Sequence, residues 1–543
     1  MISMDRKIYW LSLFILPSVF LAVLIIYPFI SLIDRFPGSL NTLLVFGNSI
    51  SSQLASKAMY NSLLQGGLGA GFSFAAGVPL GISLGRYSYR YKRALRSMVI
   101  LPFFLPSVVV VVAFESFFRM LYAIGIGHPL LAPFASGLGG ITLINVFFNA
   151  PLVAFLVSIA LERADRSVEE SAKTLGAGTL RLFTSVWGRN GLLAGVTGAL
   201  LAFLYSFAGF TAPLMIGGQG NYTFEVLIYT MVGLGNPSFA VALSVLQSVI
   251  LIFPVMLYSF FWSKESRVTA GMPSATGEGR GIPYRASMAY IFIFIMAEFA
   301  VIAALVVSSV DYRWNWQISL NAYSQLFSNT VSSRLNYPAL QPLINMLFYG
   351  VSATIIVTAI GMLWITGKRR LRIKPDSPAD IFQFIPLVVP SVVMAFSVLL
   401  VAGDALPPSY TWILIILVQA AVGIPVVLRV ISSGFMNIPD TMWEAASTLN
   451  GNAFFEIELP LAGTTLATAL MFGFAISIGE FTATNFLSTY TSSIFVPLGI
   501  EIYQLQGLRL FSASYAAASV LLIFSVIFFY LIQVAGDRFI ALR

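Results

Sequence analysis

The chain has no cysteine and a single histidine, His128, among 543 residues. The first absence excludes a disulfide framework, a thiolate metal site and a cysteine nucleophile. The second leaves almost no room for imidazole-based metal binding or general-base chemistry. Charge is scarce as well: Asp, Glu, Lys and Arg make up 10% of the residues, against roughly 25% in soluble domains. No G-x-x-x-x-G-K-[ST] occurs, and the only Gly-Lys pair, Gly367-Lys368, follows no Gly-rich phosphate loop. No stretch is long and polar enough to form a soluble nucleotide- or substrate-binding domain. ATP is therefore handled by another polypeptide or not used at all.

What fills the chain instead is apolar sequence. Hydrophobic residues make up 58% and the mean hydropathy is +0.87. Apolar runs recur that reach the ~20 residues needed to cross a bilayer. Twelve candidate spans follow, at roughly 10–33, 59–85, 97–118, 141–161, 191–216, 238–262, 286–310, 343–366, 381–402, 410–431, 461–484 and 512–534. The expected fold is an all-α polytopic protein of the cell membrane, surrounded by lipid. The first run, Trp10 to Ile33, exceeds a signal-peptide core and lacks a small-residue cleavage site, so it reads as a span. With both termini cytoplasmic, only Arg35, Lys57, Arg119, Arg313, Arg334 and Arg509 fall outside, leaving 24 of the 30 basic residues inside. The net charge of +8 is then a positive-inside bias and no sign of a nucleic-acid partner.

The chain is also written twice. Leu101-Pro102-Phe103-Phe104-Leu105-Pro106-Ser107-Val108-Val109 matches Ile385-Pro386-Leu387-Val388-Val389-Pro390-Ser391-Val392-Val393, and Phe210-Thr211-Ala212 matches Phe481-Thr482-Ala483. Residues 1–262 form the first copy and 286–543 the second. The Gly-, Ser- and Pro-rich segment 263–285 has the composition of a flexible cytoplasmic linker. Six spans per copy is an even number, so the two six-helix repeats run parallel, related by an axis along the membrane normal. Pro102, Pro106, Pro386 and Pro390 remove backbone hydrogen bonds at the start of their spans and are candidate hinges.

A second repeated feature lies between spans 4 and 5 of each copy. Glu170-Ser171-Ala172-Lys173-Thr174-Leu175-Gly176 in the first answers to Glu444-Ala445-Ala446-Ser447-Thr448-Leu449-Asn450 in the second. Val168, Ala172 and Leu175, like Met442, Ala446 and Leu449, recur at helical spacing and predict one apolar face on a short helix. Asp165 and Pro439 suit its start. Gly176 and Asn450 suit a left-handed end. The small residues Ser171, Ala172, Ala445 and Ala446 permit close approach to a partner surface.

These loops resemble the EAA signature (EAA, three residues, Gly, then I-x-L-P) of binding-protein-dependent ABC importer permeases. The likeness extends over most of the chain, through the Leu-Pro-x-x-x-Pro stretches and Ser477-Ile478-Gly479-Glu480-Phe481-Thr482-Ala483. Fused two-repeat permeases of the iron(III), thiamine and related small-solute group look most similar. The first loop departs from the pattern, reading Val186-Trp187-Gly188-Arg189 where I-x-L-P is expected; the second keeps Leu459-Pro460 but has Asn450 for Gly. The resemblance implies that Glu170, Ser171, Ala172, Gly176, Glu444, Ala445, Ala446 and Asn450 couple the chain to two ABC ATPase subunits. ATP would be bound by those subunits, with no cofactor in this chain. An extracytoplasmic substrate-binding protein would deliver iron(III), thiamine or another small molecule or ion.

Acidic residues in spans are the remaining candidates, since placing a charge at mid-membrane costs about 2.5–3.5 kcal/mol on insertion scales. Glu480 is the preferred pathway residue, with Thr211 and Thr482 beside the repeat-matched phenylalanines; its counterpart, Gly209, is neutral. Glu298, on the first span of its copy, reads as a structurally paired group, and Glu115 as one reaching the outer interface. Gly66, Gly67, Gly69, Gly71, Gly77, Gly81 and Gly85 crowd span 2 and predict close helix packing. A secondary transporter of six-plus-six parallel repeats is the competing class. Its characteristic loop between spans 2 and 3 would need an Asp and a second Gly that Gly85-Arg86-Tyr87-Ser88-Tyr89-Arg90-Tyr91-Lys92-Arg93 lacks.

Overall fold

A computed structural model describes the chain apart from residues 1–3, 40–49, 128, 130, 163–170, 173, 179–180, 182–187, 269–276, 279–281, 312–313, 316, 329–333, 374–382, 404–405, 436–437, 439–440, 443–453, 490–494 and 541–543. Among the described residues the regular structure is helical, save for a two-residue parallel pairing of Tyr87–Ser88 with Gly277–Glu278. The protein is all-α. Its principal helices in the first copy are α1 (Met4–Leu21), α2 (Tyr27–Arg35), α3 (Ile50–Arg86), α4 (Lys92–Ile100), α5 (Ser107–Ala123), α6 (Gly137–Glu162), α7 (Gly188–Phe207), α8 (Thr211–Ile216), α9 (Phe224–Gly233) and α10 (Pro237–Val268). In the second they are α11 (Ile282–Val310), α12 (Gln341–Arg370), α13 (Ser391–Ala402), α14 (Trp412–Phe435), α15 (Leu459–Gly479), α16 (Thr482–Thr489), α17 (Leu498–Gly507) and α18 (Phe511–Ile540).

Among the described residues eight helical stretches are long and apolar enough to cross a bilayer. Two further apolar stretches are bent helix pairs, Lys92–Phe104 against Ser107–Ala123 by 100° and Phe454–Gly463 against Thr465–Gly479 by 60°. The other two of the twelve apolar runs hold shorter helices, Gly191–Phe207 and Ser391–Ala402. At 1.5 Å per residue, twelve residues cover about 18 Å, well short of the ~30 Å hydrocarbon core. The extra length in both runs is spent on a break.

The chain packs as two compact units. One comprises Leu40–Leu105 and Val109–Ser319; the other comprises Met1–Ser39, Pro106–Val108 and Leu320–Arg543. In the first, α3 lies along α6 and α7, and α11 joins α3, where the Tyr290 hydroxyl donates to the Ala76 carbonyl at 2.9 Å. In the second, α12, α14 and α15 pack mutually and α1 lies along α12, with Phe14 against Trp364 at 4.6 Å between ring centroids. The opening helix of each sequence copy thus belongs to the unit built mainly from the other copy.

The glycines of span 2 divide between two neighbours. A Cβ at Gly77, Gly81 or Gly85 would lie 2.6, 2.6 and 2.9 Å from the carbonyl oxygens of Ala150, Ala154 and Ser158 on α6. Gly66 and Gly69 abut α7, while Gly67 and Gly71 have nothing within 4 Å. Backbones that approach this closely gain dispersion that lipid-facing side chains cannot supply. Gly81→Ala must push α3 and α6 apart, and overpacking of this kind costs about 1–3 kcal/mol. The expected result is a clear drop in the thermal unfolding midpoint of the detergent-solubilised protein, with Gly67→Ala close to unchanged. Equal midpoints for the two variants would contradict the packing described.

Candidate functional site

The proline pairs do more than kink their spans. Pro102 opens a 3-10 turn, Leu101–Phe104, and Leu105 is extended with ψ 140° before Pro106, after which α5 begins. In the second copy Pro386 opens the short helix Ile385–Val388, Val389 is extended with ψ 103°, and Pro390 precedes α13. A residue before proline is driven out of the helical region by the proline ring, so each Pro-x-x-x-Pro ends one helix and starts another. All four prolines are buried.

The matched Phe-Thr-Ala stretches also fall at breaks. Gly209 and Glu480 each donate a backbone N–H at 3.2 Å to the carbonyl three residues earlier, Ser206 and Ser477. The helices α8 and α16 then begin at Thr211 and Thr482; Thr211 is buried and Thr482 half-buried. Each phenylalanine is buried and meets a tyrosine edge-on: Phe210 with Tyr229 at 5.5 Å and 71°, Phe481 with Tyr503 at 5.7 Å and 78°. The offsets between copies, 271 for the phenylalanines and 274 for the tyrosines, show one local arrangement built twice.

The buried polar groups around these breaks repeat too. Asn149 Nδ2 donates to Ser206 Oγ at 3.1 Å in the first copy. In the second, Ser477 Oγ donates to Gln419 Oε1 at 2.6 Å. Further along, Asn61 Nδ2 donates to the carbonyls of Gly220 and Tyr222 at 3.0 and 2.9 Å, and Asn345 Nδ2 to that of Val496 at 3.1 Å. Asn61 and Asn345 are 284 residues apart, the same offset as Pro102 and Pro386. Each asparagine thereby ties a long span to the loop that leads into α9 or α17. Sequence reading missed these residues, although the shared offset of 284 would have exposed the asparagine pair.

The copies part company at Glu480. Its Oε1 accepts from the Ala483 N–H at 2.8 Å, and its Oε2 accepts from the Thr484 N–H at 3.0 Å and the Thr484 hydroxyl at 2.7 Å. Gln419 Nε2 donates to Thr484 Oγ1 at 3.0 Å, joining Ser477, Gln419, Thr484 and Glu480 into one chain of hydrogen bonds. The carboxylate satisfies backbone donors that the first turn of any helix leaves open. Gly209 brings no such group to α8. Glu480 also lines a pocket with Pro106, Gln419, Ser477, Phe481 and Gly499, so a candidate hinge and the candidate pathway residue share one space. Glu298 departs from expectation. It is buried on α11, and neither carboxylate oxygen has a hydrogen-bond partner among the described residues.

In the first EAA-like loop, Gly176 takes φ +78°. The Ala177 N–H reaches back to the Ala172 carbonyl at 2.9 Å, the six-to-one bond that closes a helix on a left-handed residue. Ala172 and Leu175 do not share the one apolar face expected of them, and Val168 lies outside the described residues. Ala172 and Ala177 pack inward against the core of Val153, Val157, Ala160, Leu161 and Ala194, whereas Leu175 is 86% exposed and Ser171 is exposed. Glu170, Glu444, Ala445, Ala446 and Asn450 lie outside the described residues.

Two copies of an apolar helical repeat, each broken at a proline pair and again at a Phe-Thr-Ala stretch, define a polytopic membrane permease. The chain belongs to the family of binding-protein-dependent transport system inner membrane components, which it matches twice, over residues 77–262 and 357–540. It is similar to the ferric transport system permease protein FbpB of Actinobacillus pleuropneumoniae, 25% identical over 370 residues that make up 65% of this chain and 52% of that protein. A putative ferric transport system permease protein of Haemophilus influenzae is also 25% identical, covering 66% of this chain and 58% of its own length. A probable molybdenum ABC transporter permease protein of Haloferax volcanii is 29% identical over 170 residues, 31% of this chain and 61% of that one. The chain spans a little over half the length of the two ferric relatives.

Proposed function

We propose that this chain supplies both transmembrane halves of an ABC importer in the cell membrane, with both termini cytoplasmic. The copies 1–262 and 286–543, joined through 263–285, act as the two permease subunits of one transporter. The loops carrying Glu170 to Gly176 and Glu444 to Asn450 receive two ATPase subunits, which bind and hydrolyse the ATP. A substrate-binding protein outside delivers the solute. The observation that carries this reading is the double family match within one chain, together with a coupling-type loop between spans 4 and 5 of each copy. Relatives named for ferric transport match about two thirds of the chain and the molybdenum relative about one third. That difference supports iron(III) as the first solute to test.

The pathway would run beside the two broken segments, past Thr211, Thr482 and Glu480, with Pro102, Pro106, Pro386 and Pro390 as the points where spans flex. The chain, purified from its native membranes, is expected to bring a separate ATPase with it and to hydrolyse no ATP once that ATPase is stripped off. ATP hydrolysis by the isolated chain would overturn the proposal. So would a purified chain that never carries an ATPase.

A further inference from the structure

Each coupling loop is bounded by a glutamate that holds two cations, and the two arrangements are not equivalent. In the first copy Glu162, the last residue of α6 before the loop, pairs with Lys92 Nζ at 2.8 Å and with Arg96, one turn further along α4. These side chains are partly exposed, at 16%, 24% and 28% for Lys92, Arg96 and Glu162. In the second copy Glu458, the last residue before α15, pairs with Arg370 at 2.8 Å and Arg369 at 3.5 Å, both on the last turn of α12. Here burial is near complete, with Glu458 at 1% and Arg370 at 5% side-chain exposure. Arg369 also donates to the carbonyl of Ile438, at the opposite end of the same loop, at 3.0 Å. The Arg370 guanidinium further lies 5.3 Å from the centre of the Trp10 ring on α1.

We infer that Arg369, Arg370 and Glu458 form a strut that closes the second coupling loop on itself and fixes both its ends to α12, carrying the loop's movement into the spans. This rests on the permease reading above. A buried ion pair gives little net stability over a well-packed apolar substitute, because desolvation offsets the attraction. Its physical advantage is geometric: two guanidiniums and one carboxylate hold three backbone segments in a fixed register. A pull on Ile438 or on Glu458 then passes directly into α12, and on to α1 and α15. Glu458 also closes the π-turn Phe454–Glu458 at the head of α15, and single π-turns are frequent at functional sites. The first copy has the softer link. Its partly exposed pairs are screened by water and salt, and among the described residues they join the leading end of the loop to α4.

The test uses the chain together with the ATPase subunits that co-purify with it, in proteoliposomes. Because the sequence holds no cysteine, Gly499→Cys places a single thiol at a half-buried position of the pocket beside Glu480, where an added Cβ meets Val108 at an ordinary 3.8 Å. Its alkylation by a membrane-impermeant maleimide is timed with and without ATP plus vanadate. In the otherwise unaltered chain nucleotide trapping should change the rate by about tenfold, within the range of coupling between distant sites. Adding Glu458→Gln should leave the ATPase bound but bring that change below about twofold, and the swap Glu458→Arg with Arg370→Glu should restore part of it. If Glu458→Gln fails to assemble, Arg369→Gln decides, since it releases Ile438 and keeps the Arg370–Glu458 pair; it too should lose most of the response. A full nucleotide response in an assembled Glu458→Gln or Arg369→Gln complex would overturn the strut. No response even with Glu458 intact would instead count against the permease reading.

Discussion

Replacing Ala446 by Arg, or Leu175 by Asp, is expected to leave membrane insertion normal and to strip the ATPase from the chain. The two positions test the two loops. Leu175 is the sharper case in the first, because its side chain is 86% exposed. An aliphatic side chain held out on a short loop, next to a left-handed Gly176, costs solvation and returns nothing unless a partner covers it. Losing one well-covered interface residue costs on the order of 2 kcal/mol or more, roughly a thirtyfold loss of affinity. Ala172→Arg would be a poorer test, since Ala172 packs against the core beneath the loop and an arginine there would strain the chain itself. Ala446→Arg is expected to have the larger effect, because the second loop keeps Leu459-Pro460 and is fixed at both ends. Retention of the ATPase, with transport intact, in both Leu175→Asp and Ala446→Arg chains would rule the coupling role out.

Glu480→Gln is expected to lower stability and leave solute affinity alone. The carboxylate receives donors on both oxygens: the Ala483 N–H on one, the Thr484 N–H and hydroxyl on the other. A glutamine offers one acceptor and turns an NH2 group toward the other donors, leaving a buried hydrogen bond unmade at a cost of about 1–3 kcal/mol. The unfolding midpoint should fall, and transport per folded molecule should stay within about twofold, since the donors around Glu480 belong to the fold. Glu480→Ala should cost more, because no acceptor then remains for the first turn of α16. The opposite pattern would give Glu480 a direct role in drawing a cationic solute: an unchanged midpoint with the apparent Km for solute raised tenfold or more, about 1.4 kcal/mol of lost attraction. Measuring both quantities on the same preparation separates the two roles.

Several features of this protein were legible in the residues alone. Composition placed it in the membrane, because 10% charge and long apolar runs cannot make a soluble surface. Duplication was visible in the proline pairs and the Phe-Thr-Ala stretches, and the family matches fall once in each copy. Backbone chemistry was also readable. Proline restricts the residue before it, so the breaks at Pro106 and Pro390 follow from local sterics. Glycine tolerates a left-handed turn, so Gly176 ends its helix as the sequence suggested.

Only the tertiary structure decided which surfaces meet. In a soluble protein an apolar stripe shows which face of a helix is covered, but lipid is as apolar as a protein core. A span such as α6 is therefore apolar all round and does not announce its neighbours. The sequence accordingly gives no hint that α1 joins α12, or that α11 joins α3. Nor does it say that Gly77, Gly81 and Gly85 face α6 while Gly67 and Gly71 are exposed. The polar groups obey the same limit. Asn61 finds its carbonyls some 160 residues away and Asn345 some 150, and Arg369 joins two ends of a loop it does not belong to. Glu480 was conspicuous as a charge in a span, but the donors that its carboxylate accepts from came only with the helix that begins beneath it. Local sterics and composition act over a few residues and survive in the sequence; hydrogen bonds between distant segments exist only once the chain has packed.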